Sequence, residues 1–345
     1  MNTDKLSNGA DVQKNVSLLT YNTFGIDVKA DYLVKYNSEE DLITFLKTDT
    51  AKSNRLLMIG CGSNLLFLSD FKGSILYSSI QTLEIIAEDD EFVLVKVGSG
   101  IIWDDFVAHS VSKSWWGVEN LSNIPGTIGA SAVQNIGAYG VEVKDLIFEV
   151  ETIELATSKK RIFTNEECKY NYRESIFKKE LKGKYAITSV IFRLSKKPLP
   201  QLSYQHLEAE VLKRGEVKLA NIRETIIDIR SKKLPDTKKL GNAGSYFMNP
   251  YVCKAHFEAL QQKHPDIVHY AVNDEVVKVP AAWLIEQCGW KGKRIGNVGV
   301  HEDQALVLVN FGGASGKEVA DLANAIQTSV KEKFGIDLHP EVNYI

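Results

Sequence analysis

Residues 120–140 read NLSNIPGTIGASAVQNIGAYG, and the fold of the chain turns on what this stretch does. From Leu121 to Gly140 it holds no charged residue, in a chain where 25% of residues are charged. Gly126, Gly129, Gly137 and Gly140 punctuate it, with Ala130, Ala132 and Ala138 between them. Glycines supply left-handed turns, and residues this small let another surface approach the backbone. Backbone N–H groups in such a segment can form a concave donor site for a phosphate. Pro125-Gly126 breaks any long helix, and the lack of alternating β-branched residues argues against a plain strand. A tightly packed interior loop is the alternative. Two features favour a binding segment. It carries Ser122, Asn123, Thr127, Ser131, Gln134, Asn135 and Tyr139, many hydrogen-bonding groups for a loop that avoids charge. It also has an echo at Gly60-Cys61-Gly62-Ser63-Asn64, directly after the apolar run 56–59.

At 345 residues the chain is long enough for roughly two domains. A net charge of −3 gives no hint of a nucleic-acid partner, and the lysine clusters at 178–179, 232–233 and 238–239 read as solvated surface. No apolar run approaches the ~20 residues of a membrane span. The first residues, MNTDKLSNGADVQKN, lack the apolar core of a signal peptide and read as a mobile polar tail. Cys61, Cys168, Cys253 and Cys288 form no CxxC pair, which suits reduced thiols in the cytoplasm better than disulfides or a zinc site.

Working outward, Ser38 with Glu39, Glu40 and Asp41 is a capped helix start, and Leu42, Phe45 and Leu46 share one face. A strand at 56–59, the first glycine turn and a strand near 74–77 make a modest β-α-β unit. The turn GCGSNLL lacks a third glycine and a following long helix, so it falls short of a Rossmann fingerprint. Residues 92–97 alternate as a strand, and 101–111 carry Trp103, Phe106, Val107 and Val111 at helical spacing. Residues 141–155 and 185–194 read as strands of an antiparallel sheet. The prolines of SKKPLPQ, residues 195–201, mark a boundary. An amphipathic helix is expected over 217–230, a short one between Pro280 and Gly289, and a buried strand over 305–310. Ser315 and Glu318 form a capping box before a helix closed by Gly335, and 336–342 read as a last strand.

No histidine pair has metal spacing, so no metal is expected. Ser245 follows no G-x-S-x-G elbow, which argues against a hydrolase triad. Taken singly, Ser245 reads as a structural loop serine, Arg173 as a stacked arginine and Glu341 as an exposed carboxylate.

The combination changes this. TYNTFGIDVKA (20–30), GCGSNLL (60–66), IPGTIGASAVQNIGAYG (124–140), YRESIF (172–177), KLPD (233–236), GNAGSYFMNP (241–250), AAWLIEQCGWKG (281–292) and HPEV (339–342) occur in one order. Together they resemble the UDP-N-acetylenolpyruvoylglucosamine reductase family, in the subclass with a substrate-closing tyrosine loop, from residue 21 to 344. The resemblance implies an α+β fold of the FAD-binding PCMH or vanillyl-alcohol-oxidase type, with two FAD-binding subdomains over 19–197. A linker with the tyrosine loop would follow over 198–217, and a substrate-binding C-terminal α+β domain over 218–345, with the polar tail over 1–18.

The resemblance also implies roles. Gly60, Gly62, Ser63, Asn64, Leu65, Pro125, Gly126, Ser131, Asn135, Gly140 and Arg230 would hold a non-covalent FAD. Tyr139, Tyr172, Tyr204, Lys233, Asn249, Lys291 and Gln304 would contact the substrate, UDP-N-acetylglucosamine enolpyruvate. With NADPH as reductant, Arg173 and Glu341 would stabilise an enediolate, and Ser245 would give its carbon a proton. Met248 and Asn343 depart from residues common in relatives, lysine and arginine. A cytoplasmic monomer is expected. The alternatives are another FAD oxidoreductase of this fold, which should lack GNAGS and HPEV together, and a non-enzymatic nucleotide-binding module.

Overall fold

The computed structural model describes residues 3–5, 9–204 and 206–345. The chain divides into two compact units. The first takes residues up to Val16, then Ala30–Cys61 and Phe71–Arg230; the second takes Ser17–Lys29, Gly62–Asp70 and Ser231–Ile345. The expected linker 198–217 and the residues from 218 to 230 thus pack with the first unit. The second unit begins with two short segments drawn from the N-terminal part of the chain.

The first unit contains two five-stranded sheets. In one, Lys29–Tyr36 and Leu56–Ile59 both run parallel to Phe71–Ser78, which lies between them. The connection between the outer two includes helix Glu39–Leu46, whose cap is the one expected: Ser38 Oγ accepts the Asp41 N–H at 3.0 Å. Leu42, Phe45 and Leu46 of that helix are buried with Val34, Tyr36 and Leu76 of the sheet. Strands Thr3–Lys5 and Asp11–Ser17 extend the sheet. The expectation of a polar tail over 1–18 is therefore corrected for Asp11–Ser17, a strand with Val12 turned into the core; residues 1–2 and 6–8 of that stretch lie outside the described residues.

The other sheet is antiparallel, in the order Lys160–Thr164, Ile147–Glu154, Tyr185–Ser195, Phe92–Gly98, Leu83–Glu88. Helix Trp103–Ser112 buries Trp103, Phe106 and Val107 against it, and Trp103 Nε1 donates to the Leu121 carbonyl at 2.8 Å. The expected strand 141–155 is broken in two. Val141–Glu142 pairs with Gly137–Ala138, and Glu142 and Asp145 then form a capping box around a 3-10 turn, so the long strand starts only at Ile147.

In the second unit, strand Gly241–Ser245 pairs with Val307–Asn310, which continues to Val298–Val300 and Arg294–Ile295. Helix Gly316–Phe334 carries the expected capping box, and Gly335 ends it at φ 67°. The last strand is not 336–342. The strand is Asn343–Tyr344, in parallel with Leu65–Leu66 from the glycine turn far back in the chain, while Pro340 makes only an isolated bridge to Phe247. Among the described residues no helix is long and apolar enough to cross a membrane.

Candidate active site

Gly60 and Cys61 meet the longer glycine segment inside the first unit. A Cβ placed on Gly60 would stand 2.7 Å from Thr127 Oγ1 and 3.4 Å from Ala130 Cβ. The Cys61 thiol takes a hydrogen bond from the Gly126 backbone, and burial pushes it up from its ordinary value. Thr127 caps the short helix Ile128–Gln134, and Gly129 leaves only 3.0 Å between a built Cβ and Ser99. These contacts give a physical reason for small residues here: the glycine backbone lies directly against the side chains of Thr127, Ala130 and Ser99.

Backbone strain gathers around this segment. Among the described residues eight non-glycines have left-handed φ, and four of them are Asn123, Asn135, Tyr139 and Arg173. Such conformations persist only where neighbours hold them. Asn135 ends the helix at φ 44°, and its amide is fully engaged: Oδ1 accepts the Lys144 N–H, while Nδ2 donates to Asn171 O and Glu142 Oε2. Arg173, at φ 56°, donates from Nη2 to the Gly137 carbonyl at 2.9 Å. Its own carbonyl accepts Lys178 Nζ at 3.1 Å, and that amine also reaches Gln134 Oε1 at 3.1 Å. Ser175 Oγ ties the same turn to Val133 O. The arginine expected to meet a developing negative charge is thus held through Val133, Gln134 and Gly137 of the glycine segment and through Lys178.

Tyr139 meets Tyr204 edge to face, with ring centres 5.7 Å apart. Burial raises the Tyr139 phenol, with the Arg230 charge pulling the other way. Arg230 Nε donates to Asn123 O at 3.1 Å. Burial pulls its guanidinium down; Tyr139 acts against that and the Arg173 charge adds to it. Asp104 braces this corner, gripping Arg223 with both oxygens at 2.7 and 2.8 Å and accepting the Asn123 N–H at 2.6 Å.

The second unit assembles the other expected residues. Ser245 ends its strand opposite Val307. The chain then crosses the C-terminal segment: Glu341 N donates to Tyr246 O at 2.8 Å, Phe247 bridges Pro340, and Met248 N donates to His339 O. Asn64 Nδ2 donates to the Glu341 carbonyl at 3.1 Å, and Asn64 O accepts the Asn343 N–H. Asn64, Ser245 and Glu341 are therefore neighbours within this unit. Gln304 belongs to the same group, since its Oε1 accepts the Leu306 N–H and Leu306 O accepts from Tyr246 N. Asn249 Oδ1 accepts the Ala281 N–H at 2.9 Å and so caps the helix Ala281–Gln287. Lys233 is exposed at the end of helix Leu219–Lys233, and Lys291 pairs with Glu286 at 2.9 Å.

Residues 30–159 match the FAD binding domain family, and residues 235–345 match the C-terminal domain of UDP-N-acetylenolpyruvoylglucosamine reductase. The chain is 50% identical to UDP-N-acetylenolpyruvoylglucosamine reductase of Bacteroides fragilis over 97% of its length and 100% of the relative's. The corresponding protein of Porphyromonas gingivalis is 48% identical over 97% of this chain and 99% of its own. The chain belongs to the UDP-N-acetylenolpyruvoylglucosamine reductase family. The crystal structure of the reductase of that family from Thermus caldophilus shares the fold, with a TM-score of 0.69 at 22% identity over 97% of this chain and 99% of that one.

The fold is accordingly the FAD-binding type expected, α+β with a C-terminal α+β domain, and FAD is the cofactor of this reductase family member. The residues present suit FAD. The stretch from Leu121 to Gly140 is rich in glycine and alanine and brings no carboxylate of its own to repel a phosphate. Ser131 and Asn135 are turned to other work: the Ser131 hydroxyl donates to Ile128 O within its helix, and the Asn135 amide is held as described. Asn120, Asp104 and Lys178 carry no signal in the sequence, because each reaches a group remote along the chain, the Tyr139 carbonyl, the Asn123 N–H and the Gln134 side chain respectively.

Proposed function

We propose that this protein reduces the enolpyruvyl group of UDP-N-acetylglucosamine enolpyruvate to the lactyl ether of UDP-N-acetylmuramate, with NADPH as reductant. The reaction serves cytoplasmic synthesis of peptidoglycan precursors. The observation that carries this reading is the crossing of segment 245–248 with 339–341, which puts a serine and a glutamate on adjoining backbone in a member of this family.

FAD, when bound, supplies the hydride that NADPH delivers and that ends on the terminal carbon of the enolpyruvyl group. The chain's own residues manage charge and the proton. Addition of hydride leaves negative charge on the substrate carboxylate as an enediolate, and Arg173 offers a fixed cation for it. Glu341, hydrogen-bonded or protonated, completes that stabilisation. Ser245 Oγ–H gives its proton to the carbon beside the carboxylate and is reprotonated from solvent. Tyr139, Tyr172, Tyr204, Lys233, Asn249, Lys291 and Gln304 bind the UDP-sugar. The flavin is held without a covalent bond: the one cysteine of the cradle, Cys61, has its thiol in a hydrogen bond and raised by burial, unlike an activated nucleophile.

The test is product analysis. Incubation with NADPH and the enolpyruvyl sugar should yield a product heavier by two hydrogens, with one deuterium taken up beside the carboxylate when the solvent is heavy water. NADPH oxidation without change in the sugar's mass would overturn the assignment.

A further inference from the structure

Asn120 is fully buried in the 3-10 turn Glu119–Leu121. Its Nδ2 donates to two backbone carbonyls, Tyr139 O at 2.9 Å and Gln201 O at 2.7 Å. Both partners accept only, so the amide nitrogen must be the atom that faces them. Among the described residues Oδ1 has no partner, so the donor half of the amide carries whatever role the residue has.

What the two carbonyls belong to gives that role its direction. Tyr139 has a left-handed backbone, φ 49°, which its neighbours must hold. Gln201 lies three residues before Tyr204, a residue 42% exposed and so not fixed by burial. The two tyrosine rings meet edge to face at 5.7 Å, and a Cβ on Gly140 would come within 3.7 Å of Tyr204 Cβ. One buried amide therefore fastens both chain segments whose aromatic rings touch.

We infer that Asn120 is a positioning residue that sets Tyr204 against Tyr139 and thereby tunes affinity for the nucleotide part of the substrate. This rests on the reading of Tyr204 as a substrate contact. Asn120 touches no reacting atom in that role, so its loss acts on binding and leaves hydride delivery to the flavin intact.

The experiment compares holoenzymes carrying Asn120→Asp, Asn120→Ser, Tyr204→Ala and the double variant Asn120→Ser with Tyr204→Ala. KM for the enolpyruvyl sugar, calorimetric binding of UDP and flavin bleaching by NADPH are measured for each. Losing two buried hydrogen bonds should raise KM and weaken UDP about tenfold or more, with bleaching close to wild type. In the Tyr204→Ala background the serine variant should add little. Asn120→Asp places a carboxylate against two carbonyls, so its KM should fall toward wild type as the pH is lowered and the carboxyl regains a donor. Equal losses in bleaching and KM, additive effects with Tyr204→Ala, or failure of both Asn120 variants to give folded yellow protein would each make Asn120 a fold residue and overturn the inference. A wild type that turns over the sugar while the Asn120 variants keep its KM sinks this inference alone. A wild type that ignores the sugar sinks the functional reading, and this inference with it.

Discussion

The Glu341 N–H donates to the Tyr246 carbonyl at 2.8 Å, so the glutamate near the C-terminus stands beside the strand that Ser245 terminates. Neither residue is placed by its own neighbours in sequence. The pair exists because the C-terminal segment runs between the GCGSNLL turn and the GNAGS strand, bonded to Asn64 on one side and to Tyr246 on the other.

In the proposed reaction Ser245 acts in one half of the cycle only. Reduction of the flavin by NADPH moves a hydride and protonates no carbon; reduction of the enolpyruvyl group needs the proton. Ser245→Ala should leave bleaching within a few-fold of wild type and slow reoxidation by substrate about 10²–10⁴-fold. Ser245→Cys, a more acidic donor of similar shape, should retain more activity. Equal slowing of both steps in stopped-flow absorbance would assign Ser245 to the fold.

The glycines of this unit separate by what surrounds them. Gly62, at φ 64°, has the Tyr21 carbonyl where a Cβ would go; Gly244, at φ 68°, has nothing within 4 Å of that position. Gly62→Ala should cost about 3 kcal/mol, from left-handed strain plus collision with backbone. Gly244→Ala should cost only the strain, about 1–2 kcal/mol. Urea unfolding of the two variants checks this, and equal losses would mean that the turn at Gly62 shifts freely.

Acid sensitivity should trace partly to Glu151. Burial alone would raise its carboxyl, but Lys160, Lys96 and Ser189, at 2.9, 2.8 and 2.8 Å, outweigh it and hold it at about 2. Lys160 also reaches Glu39 at 3.1 Å, which ties the helix Glu39–Leu46 to the antiparallel sheet. The folded value lies below the unfolded 4.5, so this stabilisation is complete above pH 4.5 and fades as the pH falls toward 2. Glu151→Gln should lose about 1–3 kcal/mol at pH 7 and show a shallower decline of stability as the pH falls below 4.5. A variant with the wild-type slope would show that other carboxylates govern the decline.

Local signals in the sequence translate directly into structure. Ser38, Ser315 and Gly335 cap helices as expected because a cap involves residues three or four apart, and the apolar strand Leu56–Ile59 lies where its sequence places it. Signals that depend on distant partners translate less well. Residues 336–342 have a strand's pattern, yet they make only an isolated bridge at Pro340, and the strand itself begins at Asn343, where Leu65 supplies the partner. Asp11–Ser17 reads as polar tail because few of its residues are buried, and the sheet supplies the rest of its order. At the candidate site, Ser245 and Glu341 stand out in the sequence through the motifs that carry them, and the structure sets their backbone segments side by side. The braces do not stand out: Asn120, Asp104 and Lys178 reach carbonyls and amides that no spacing rule connects to them.

In the proposed reaction a flavin held by this chain passes electrons from NADPH to a UDP-linked enolpyruvyl group. Anaerobic stopped-flow absorbance of the purified holoenzyme tests it in one sequence of additions. The protein should be yellow, bleach with NADPH, and regain colour rapidly with UDP-N-acetylglucosamine enolpyruvate but not with unsaturated acids that lack UDP. Recolouring at the same rate with both, or none with the sugar, would contradict it.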